Sequence, residues 1–326
     1  MIRFSFFELM KRVELRVFGR YGTTHCYNRP QFVVIEPTTR CNLSCIWCAR
    51  PYRNYPIRDM SVSDFQGIIQ QIGYVREIVP FGFGEPLLHK QIDKIISLAS
   101  KNADYTWINS NGILLDQKMT RRLDSSGLTE LALSIDSPDP EIFNQIRKGA
   151  DLDKIKENAR HFTDHSTIPL RIHAVLSALT LDSSLNLPMM AHELGANKLT
   201  FNILHPTPDK HLMPNPQKLL HTCEKLHRLC LELGLKTDIT EILKKQSTNL
   251  CKAPLLSTFI DSEGYMTPCC NYPQFRLGNV FDKGFEECWN AEETRRFRKR
   301  VLRGNFPEWC QTLCLSVRHL ISTAHA

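Results

Sequence analysis

The chain has 326 residues, of which 42% are hydrophobic, and carries a formal net charge of +7. This length and composition are enough for one large domain and a smaller one. The charge is mild and spread along the chain, so we expect no specific nucleic-acid partner, and no apolar run reaches the roughly eighteen residues of a transmembrane helix.

Residues 1–29 form a predicted N-terminal extension. Aromatic and basic side chains alternate in it, which predicts an amphipathic helix packed on the domain, although a membrane-surface or partner-binding helix has the same pattern. The segment lacks an uninterrupted apolar stretch followed by a small-residue cleavage site, so it does not resemble a signal peptide. A cytoplasmic location is therefore predicted.

Short apolar strands alternate with helical patterns between residues 30 and 206. Strands are predicted at 31–36, 77–83, 105–109, 130–135, 170–176 and 198–204, and helices at 63–73, 92–99, 117–125, 153–162 and 185–194. Such alternation gives parallel strands joined by right-handed crossovers. The predicted class is α/β, and six units fit a partial (β/α)6 TIM-type barrel; a flat doubly wound sheet would show the same periodicity.

The character of the chain changes after residue 206. Residues 207–250 begin with a proline-rich linker and continue into a predicted helix at 219–235. Residues 251–326 are punctuated by Cys, Gly and Pro with little periodicity. Such a segment is expected to have a small core and to need a metal as a staple.

The 12 cysteines are unevenly placed: three lie close together after the first predicted strand, and most others follow residue 250. Without a signal peptide, disulfides are not expected, and clustered cysteines point to metal. Cys41, Cys45 and Cys48 have the spacing CxxxCxxC. Three thiolates on one loop hold three irons of a cubane cluster and leave the fourth iron open for a ligand. A closed zinc site is the alternative, with His25 or Cys26 as the nearest further ligands.

This cysteine motif, with the aromatic Trp47 before its last member, resembles the signature of the radical S-adenosylmethionine (SAM) superfamily. The resemblance implies a 4Fe–4S cluster on Cys41, Cys45 and Cys48 that binds SAM. It also implies reductive cleavage of SAM to methionine and a 5′-deoxyadenosyl radical, which abstracts hydrogen from a substrate. The cofactor would supply the chemistry, and the protein would supply position and exclusion of water.

Gly84, Glu85 and Pro86 end the second predicted strand region and resemble the family's GGEP motif, with Phe83 in place of the usual first glycine. The resemblance implies that they bind the SAM amino group. A glycine allows close backbone approach to a ligand, and a carboxylate suits an ammonium group. An ordinary turn would have the same residues.

Four further residues at strand ends gain meaning from the same resemblance. Asn109 lies in a segment similar to the family's T-N-G segment, and Ser134 and Asp136 in one similar to its S-[IVL]-D segment, which implies contacts with SAM. Asp136 could also cap the next helix, a role that is compatible with a SAM contact. Arg147 resembles an arginine that would pair with the SAM carboxylate, or it could be a solvated helix end. His173 faces either the barrel interior or the helices, and a satisfied core histidine is the simpler interpretation.

The cysteines of the C-terminal segment resemble a SPASM/twitch extension, with a Cys, a GxxxxC motif, a Gly-Asn turn, a Trp-Asn helix start and a final close Cys pair. The resemblance implies a second, auxiliary 4Fe–4S cluster with four ligands: Cys251, Cys269, Cys310 and Cys314. Structural zinc fits the same four thiolates. Cys270 and Cys288 are left over; either could be an alternative ligand or a hydrogen-atom donor, and a buried free thiol is the simpler interpretation of each.

The predicted activity is therefore radical SAM chemistry on an unknown substrate, either dehydrogenation of a small molecule or modification of a peptide or protein. An electron donor such as flavodoxin or ferredoxin is implied by the family alone. The alternative is a non-catalytic, metal-stabilised binding or scaffold protein with a degenerate barrel. The intact Cys41, Cys45, Cys48 and Glu85 argue against that alternative.

Overall fold

A computed structural model of the chain describes residues 24–48, 50, 56–204, 210–240, 251, 253–269, 275–308 and 310. The predicted N-terminal helix, Cys270 and Cys314 lie outside these residues. The strands are β1 (Phe32–Ile35), β2 (Ser44–Cys45), β3 (Val75–Pro80), β4 (Ala103–Ser110), β5 (Glu130–Ser134), β6 (Arg147–Lys148), β7 (Leu170–Leu176), β8 (Lys198–Ile203), β9 (Lys236–Thr237), β10 (Ser257–Ile260), β11 (Tyr265–Thr267) and β12 (Gly278–Asn279).

The helices are α1 (Val62–Ile72), α2 (Ile92–Ser100), α3 (Gln117–Asp124), α4 (Pro140–Ile146), α5 (Leu152–His165), α6 (Leu187–Glu193), α7 (Pro216–Glu232), α8 (Ala253–Leu256), α9 (Val280–Lys283), α10 (Phe285–Asn290) and α11 (Glu292–Leu302). Short polar side chains start the crossover helices. Ser61 accepts a hydrogen bond from the backbone N–H of Asp64, and Asp116, Asp139 and Asp151 cap α3, α4 and α5 in the same way.

The six predicted barrel strands lie side by side in the order β1-β3-β4-β5-β7-β8, and every neighbouring pair is parallel. This arrangement confirms the predicted partial barrel of parallel strands. The bounds of β7 agree with the prediction, whereas β3 begins earlier and ends at Pro80, so that residues 81–83 belong to the following loop. The helix α4 was not expected.

The two faces of the sheet differ in chemistry. On β7, Leu170, Ile172, Ala174 and Leu176 are buried in the main apolar core beneath the helices. His173 lies on the opposite face, which lines the barrel interior and bears the polar ends of the strands. The interior face is therefore the one on which a ligand-binding site can form.

The segment after Cys251 extends the barrel sheet. Its first strand, β10, pairs in parallel with β1, and β11 and β12 continue the sheet as antiparallel strands. It also buries Trp289 and Arg298, with the guanidinium 4.2 Å from the centre of the indole ring. Among its described residues, the segment has only a small apolar cluster of its own around Phe297, because β10 uses the edge of the barrel sheet; the expected metal staple stays a prediction. The predicted boundaries at 30–206, 207–250 and 251–326 stay predictions.

The Trp-Asn motif fastens the start of the described chain to the C-terminal segment. The side chain of Asn290 accepts a hydrogen bond from the backbone N–H of Cys26 (2.9 Å) and donates one to its carbonyl (3.0 Å). The indole N–H of Trp289 donates to the carbonyl of Asn28 (3.1 Å), and Arg298 donates to that of Thr24 (3.2 Å). The side-chain amide of Asn290 thus pairs with both backbone groups of Cys26, as a neighbouring strand would.

Across the described residues, none of the helices has the length and apolar character to cross a membrane. The cytoplasmic location stays a prediction.

Candidate functional site

The loop that carries Cys41, Cys45 and Cys48 follows β1 at the carboxyl end of the parallel strands. Its β2 strand pairs antiparallel with β6, which places Cys45 opposite Arg147. The N–H of Ile46 donates to the carbonyl of Ile146 (3.0 Å), and the N–H of Cys48 donates back to the carbonyl of Cys45 (3.2 Å). The cysteine loop is therefore held by backbone bonds to the segment that follows β5, although more than a hundred residues separate them.

The three thiols are half-buried and interact electrostatically with one another. Burial raises the pKa of Cys45 to about 11; Arg147 opposes this shift, and the thiolates of Cys48 and Cys41 add to it. Burial likewise raises the pKa of Cys41. Among the described residues, no three His, Cys, Asp or Glu side chains form a group arranged for a single metal ion. Three half-buried thiols on one loop are the donor type that binds three irons of a cubane, so this donor set fits an iron–sulfur cluster.

The Gly84-Glu85-Pro86 turn lies against the backbone just before the cysteine loop. A Cβ atom on Gly84 would lie 2.2 Å from the carbonyl oxygen of Thr38 and 2.6 Å from that of Arg40. The N–H of Glu85 donates to the carbonyl of Arg40 (2.7 Å). Only glycine allows this approach, so the turn and the cysteine loop form one packed unit.

The carboxylate of Glu85 is buried and organises the neighbouring loops. It accepts hydrogen bonds from the N–H of Leu87 (3.0 Å), the hydroxyl of Ser110 (2.8 Å) and the N–H of Asn111 (2.7 Å). Burial raises its pKa, while the bonds from Asn111, Leu87 and Ser110 act in the opposite direction. These three bonds use most of the acceptor capacity of the carboxylate, so Glu85 positions the loop after β4. Its contact with SAM stays a prediction.

Asn111 connects that loop to the cysteines, a contact that the sequence analysis missed. Its side-chain amide donates to the side-chain carbonyl of Asn42 (2.8 Å), and its own carbonyl accepts from the N–H of Ile113 (3.1 Å). The predicted residue Asn109 instead accepts a hydrogen bond from the hydroxyl of Ser134 (2.9 Å) inside the barrel. Ser134 and Asn109 therefore present one joined polar patch on the strands β4 and β5.

Asp136 and Arg147 form a buried ion pair. Oδ2 of Asp136 lies 2.7 Å from Nε of Arg147, and Oδ1 accepts from the N–H of Val175 (2.9 Å). The interpretation of Asp136 as a helix cap is wrong, because Asp139 caps α4. The interpretation of Arg147 as a solvated helix end is also wrong: its side chain is 12% exposed and faces the thiols of Cys45 and Cys41.

The imidazole of His173 faces the barrel interior and is satisfied by its neighbours. Nδ1 lies 2.9 Å from the hydroxyl of Thr200. Nε2 accepts from the side-chain amide of Asn202 (3.1 Å). Burial and, secondarily, the nearby positive charges lower the pKa of His173 to about 3. His173 is thus a neutral wall residue next to Ser134, its cross-strand neighbour.

The second set of cysteines lies beside β10 and α11. Cys251 and Cys310 both pack with Phe297 of α11 in a small apolar cluster, and Cys269 follows β11. Gly264 of the GxxxxC motif has φ +86°, and a Cβ there would meet the ring of Phe281 at 2.3 Å. The structure thus brings two of the four predicted auxiliary ligands into one cluster.

Of the two left-over cysteines, Cys288 is the described one. Its side chain is fully buried, and burial raises its thiol pKa to about 11. It lies beneath Gly278, where an added Cβ would be 2.8 Å from its sulfur. These features agree with its interpretation as a buried thiol.

Comparison with known families gives two matches. Residues 35–177 match the model of the radical SAM superfamily, and residues 251–314 match that of the SPASM iron–sulfur cluster-binding domain. The first covers the cysteine loop and the strands β3 to β7, and the second covers all four predicted auxiliary ligands.

Individual relatives are distant but span most of the chain. An AdoMet-dependent heme synthase of Methanosarcina barkeri is 22% identical over 83% of this chain and 85% of its own length. A PqqA peptide cyclase of Xanthomonas euvesicatoria is 25% identical over 86% of this chain and 79% of its own. The structure of Streptococcus suis SuiB bound to the precursor peptide SuiA superposes with a TM-score of 0.71 at 17% identity, covering 96% of this chain and 75% of that one.

The barrel, its cysteine loop and both family matches lead to one conclusion: this chain is a radical SAM enzyme with a C-terminal SPASM domain, and its cofactors are SAM, a 4Fe–4S cluster and an auxiliary iron–sulfur site.

Proposed function

We propose that this enzyme cleaves SAM reductively at a cluster held by Cys41, Cys45 and Cys48 and uses the resulting radical to modify a peptide. The observation that carries the first part is the cysteine loop itself, which backbone bonds fix between β6 and the Gly84-Glu85 turn. When bound, the cluster supplies one electron that splits SAM into methionine and a 5′-deoxyadenosyl radical, which then takes a hydrogen atom from the substrate.

The surrounding residues position SAM and keep the site ordered. The Gly84-Glu85 turn offers backbone carbonyls and a carboxylate beside the cysteine loop, which suits the SAM ammonium group. The joined side chains of Asn109 and Ser134 line the barrel wall next to it and suit the ribose hydroxyls. Arg147, held by Asp136, places a fixed positive charge near the thiols, where the SAM carboxylate would bind.

The wall formed by β7 and β8 supports a substrate with hydrogen-bond donors. The side chain of Asn202 is exposed, and its amide nitrogen lies 3.1 Å from Nε2 of the neutral His173, so its carbonyl oxygen remains as an acceptor for a substrate. A peptide presents backbone N–H groups that fit such an acceptor. The similarity to a PqqA peptide cyclase and to a protein solved with a precursor peptide supports the same substrate class.

A tetrapyrrole is the second candidate, because the AdoMet-dependent heme synthase is matched over most of both chains. A tetrapyrrole bears ring N–H groups and carboxylates, so it also meets an acceptor wall and the mild positive charge of the chain. The two candidates differ in size, in colour and in the hydrogen that would be abstracted, and they are separable by isotope labelling.

The cleavage is tested by anaerobic reconstitution followed by incubation with SAM and dithionite. We expect roughly eight irons per chain for two cubane clusters and the formation of 5′-deoxyadenosine. Cys45→Ala should abolish the product, whereas Cys230→Ala, which removes another buried thiol remote from the site, should retain it. A wild-type protein that takes up only zinc and yields no 5′-deoxyadenosine would refute the proposal.

The substrate class is tested by following the abstracted hydrogen. The enzyme is incubated with a deuterated cellular peptide pool, a deuterated small-metabolite pool or a deuterated porphyrinogen, and the 5′-deoxyadenosine is analysed by mass spectrometry. Deuterium from the peptide pool alone supports peptide modification. Deuterium from either other pool, with none from peptides, replaces the peptide by that class.

A further inference from the structure

Glu36 is a buried carboxylate that has no role in the proposed binding of the cluster or of SAM. It follows β1 five residues before Cys41, and none of its side chain is exposed. Its backbone N–H donates to the carbonyl of Ile260, so β1 and β10 remain paired up to this point (2.9 Å). A charge at such a position is costly unless hydrogen bonds compensate for it, so its contacts indicate what it does.

The two oxygens of Glu36 bind two different parts of the molecule. Oε1 accepts from the N–H of Phe83 (2.7 Å), next to Gly84 in the predicted SAM-binding turn. Oε2 lies 3.4 Å from the N–H of Ser262, in the turn between β10 and β11 of the SPASM domain. Gly82 makes room for this bridge, because a Cβ there would be 2.3 Å from Cγ of Glu36.

The SPASM side of this bridge is rigid. In the β10–β11 turn, Oδ1 of Asp261 accepts from the N–H groups of Glu263 (3.0 Å) and Tyr265 (2.9 Å). Strand β11 then leads from this turn towards Cys269, whose carbonyl accepts from the hydroxyl of Thr267 (3.3 Å). One hairpin therefore carries the Glu36 contact at its turn and a predicted auxiliary ligand at its end.

The other side of the bridge leads to the cysteine loop. Phe83 is followed by Gly84 and Glu85, and the carboxylate of Glu85 holds Asn111, which in turn binds Asn42 next to Cys41. The path runs along the backbone from Phe83 to Glu85 and then through two hydrogen bonds, of 2.7 Å from the N–H of Asn111 to Glu85 and of 2.8 Å from the Asn111 amide to Asn42. A displacement of the hairpin turn is therefore transmitted to the loop that would bind the SAM amino group.

We propose that Glu36 is a positioning residue that couples the auxiliary site to SAM binding, so that an occupied auxiliary site raises the affinity for SAM. The inference rests on the proposed function, and it adds a regulatory contact between the two sites. Coupling of this kind amounts to between about 5-fold and 150-fold in affinity.

The test is a double-mutant cycle of Glu36→Gln and Cys269→Ala, with the dissociation constant of SAM as the readout. Gln offers one carbonyl oxygen and one N–H donor group, so it can accept from Phe83 or from Ser262 but not from both. We expect each single variant to weaken SAM binding at least about 5-fold and the double variant to be no weaker than Glu36→Gln alone. Fold losses that multiply in the double variant, or a Glu36→Gln protein that binds SAM normally, would overturn the proposal.

Glu263→Gln is the matched control, because this carboxylate lies in the same turn and pairs with Arg276 rather than with the SAM turn. It should bind SAM like the wild type. Hydrogen exchange of residues 81–85 supplies a readout that needs neither SAM nor a variant of Glu36: Cys269→Ala should speed exchange there. Unchanged exchange at 81–85 would overturn the coupling, whereas absent SAM binding by the wild type would instead refute the proposed function.

Discussion

Replacing Gly84 by alanine tests whether the Gly84-Glu85 turn must touch the backbone before the cysteines. The added Cβ would lie 2.2 Å from the carbonyl oxygen of Thr38 and 2.6 Å from that of Arg40. Both obstacles are backbone atoms, so no side-chain rotation relieves the clash. The turn or the cysteine loop has to move.

The size of the movement follows from the contact distances. Real Cβ contacts essentially never fall below 3.0 Å, so a separation of 2.2 Å requires a shift of about 0.8 Å. The hydrogen bond from Glu85 to Arg40 would be strained by the same movement. A misplacement near 1 Å at a reacting centre costs roughly 100-fold in rate, so we expect 5′-deoxyadenosine formation to fall by about that factor.

The assay compares Gly84→Ala with Gly67→Ala under anaerobic conditions with dithionite. Gly67 lies in the middle of α1 with nothing within 4 Å of its added Cβ, so alanine there should raise the free energy of unfolding by about 0.5–1 kcal/mol and leave the rate unchanged. Iron content is measured for both, to separate loss of SAM positioning from loss of the cluster. A Gly84→Ala enzyme with the wild-type rate and SAM affinity would show that the close approach is dispensable.

Three other changes probe the ion pair, the wall histidine and the Trp-Asn motif. Asp136→Asn leaves the buried Arg147 without its counter-charge and should lower the free energy of unfolding by about 3 kcal/mol in urea titrations, and a loss below 1 kcal/mol would contradict a buried pair. His173 has a folded-state pKa of about 3, below its unfolded value, so the wild type should lose stability relative to His173→Gln as the pH falls from 6.5 towards 3. Thermal unfolding measures this loss, and parallel curves of melting temperature against pH for the two proteins would show that His173 is solvated. Asn290→Ala removes both bonds to Cys26 and should cost about 1–3 kcal/mol, whereas an unchanged melting temperature would mean that the first described residues are held elsewhere.

The barrel was predictable because its strands have local signals. Residues 170–176 alternate in the pattern of a strand, and the structure has a strand with the same bounds. The second barrel strand was displaced for a reason that is not local. Phe81 and Phe83 read as a continuation of the strand, yet they belong to an interior cluster in which the ring of Phe83 lies 5.9 Å from that of Phe259. The sequence pattern of apolar residues in a loop is the same as that of a strand, and only the distant residues that they pack against distinguish the two.

The cysteine ligands of the site could be predicted from the sequence, whereas the hydrogen bonds and strand pairing that hold the cysteine loop in place could not. Cysteine spacing is a local property, but the bond from Asn111 to Asn42 and the pairing of Cys45 with Arg147 join residues far apart in the chain. The sequence left open whether Arg147 contacts SAM or ends a helix in solvent, because the β6 strand that turns it inward pairs with the distant β2. The strands of the C-terminal segment were not predicted for a similar reason, since β10 lies between β1, which is far away in the chain, and β11.

The ion pair between Asp136 and Arg147 supplies geometry rather than net charge to the cysteine loop. Arg147 lowers the pKa of Cys45, but Asp136 acts in the opposite direction, so the two fields partly cancel at the thiol. What remains is a guanidinium held in one orientation by a carboxylate that is itself tied to β7 through Val175. The charge that the proposed site offers to a SAM carboxylate is therefore fixed by the ends of the barrel strands β5 and β7 and by the short strand β6. This arrangement explains how a site made mostly of loops can keep the positional accuracy that a radical reaction requires.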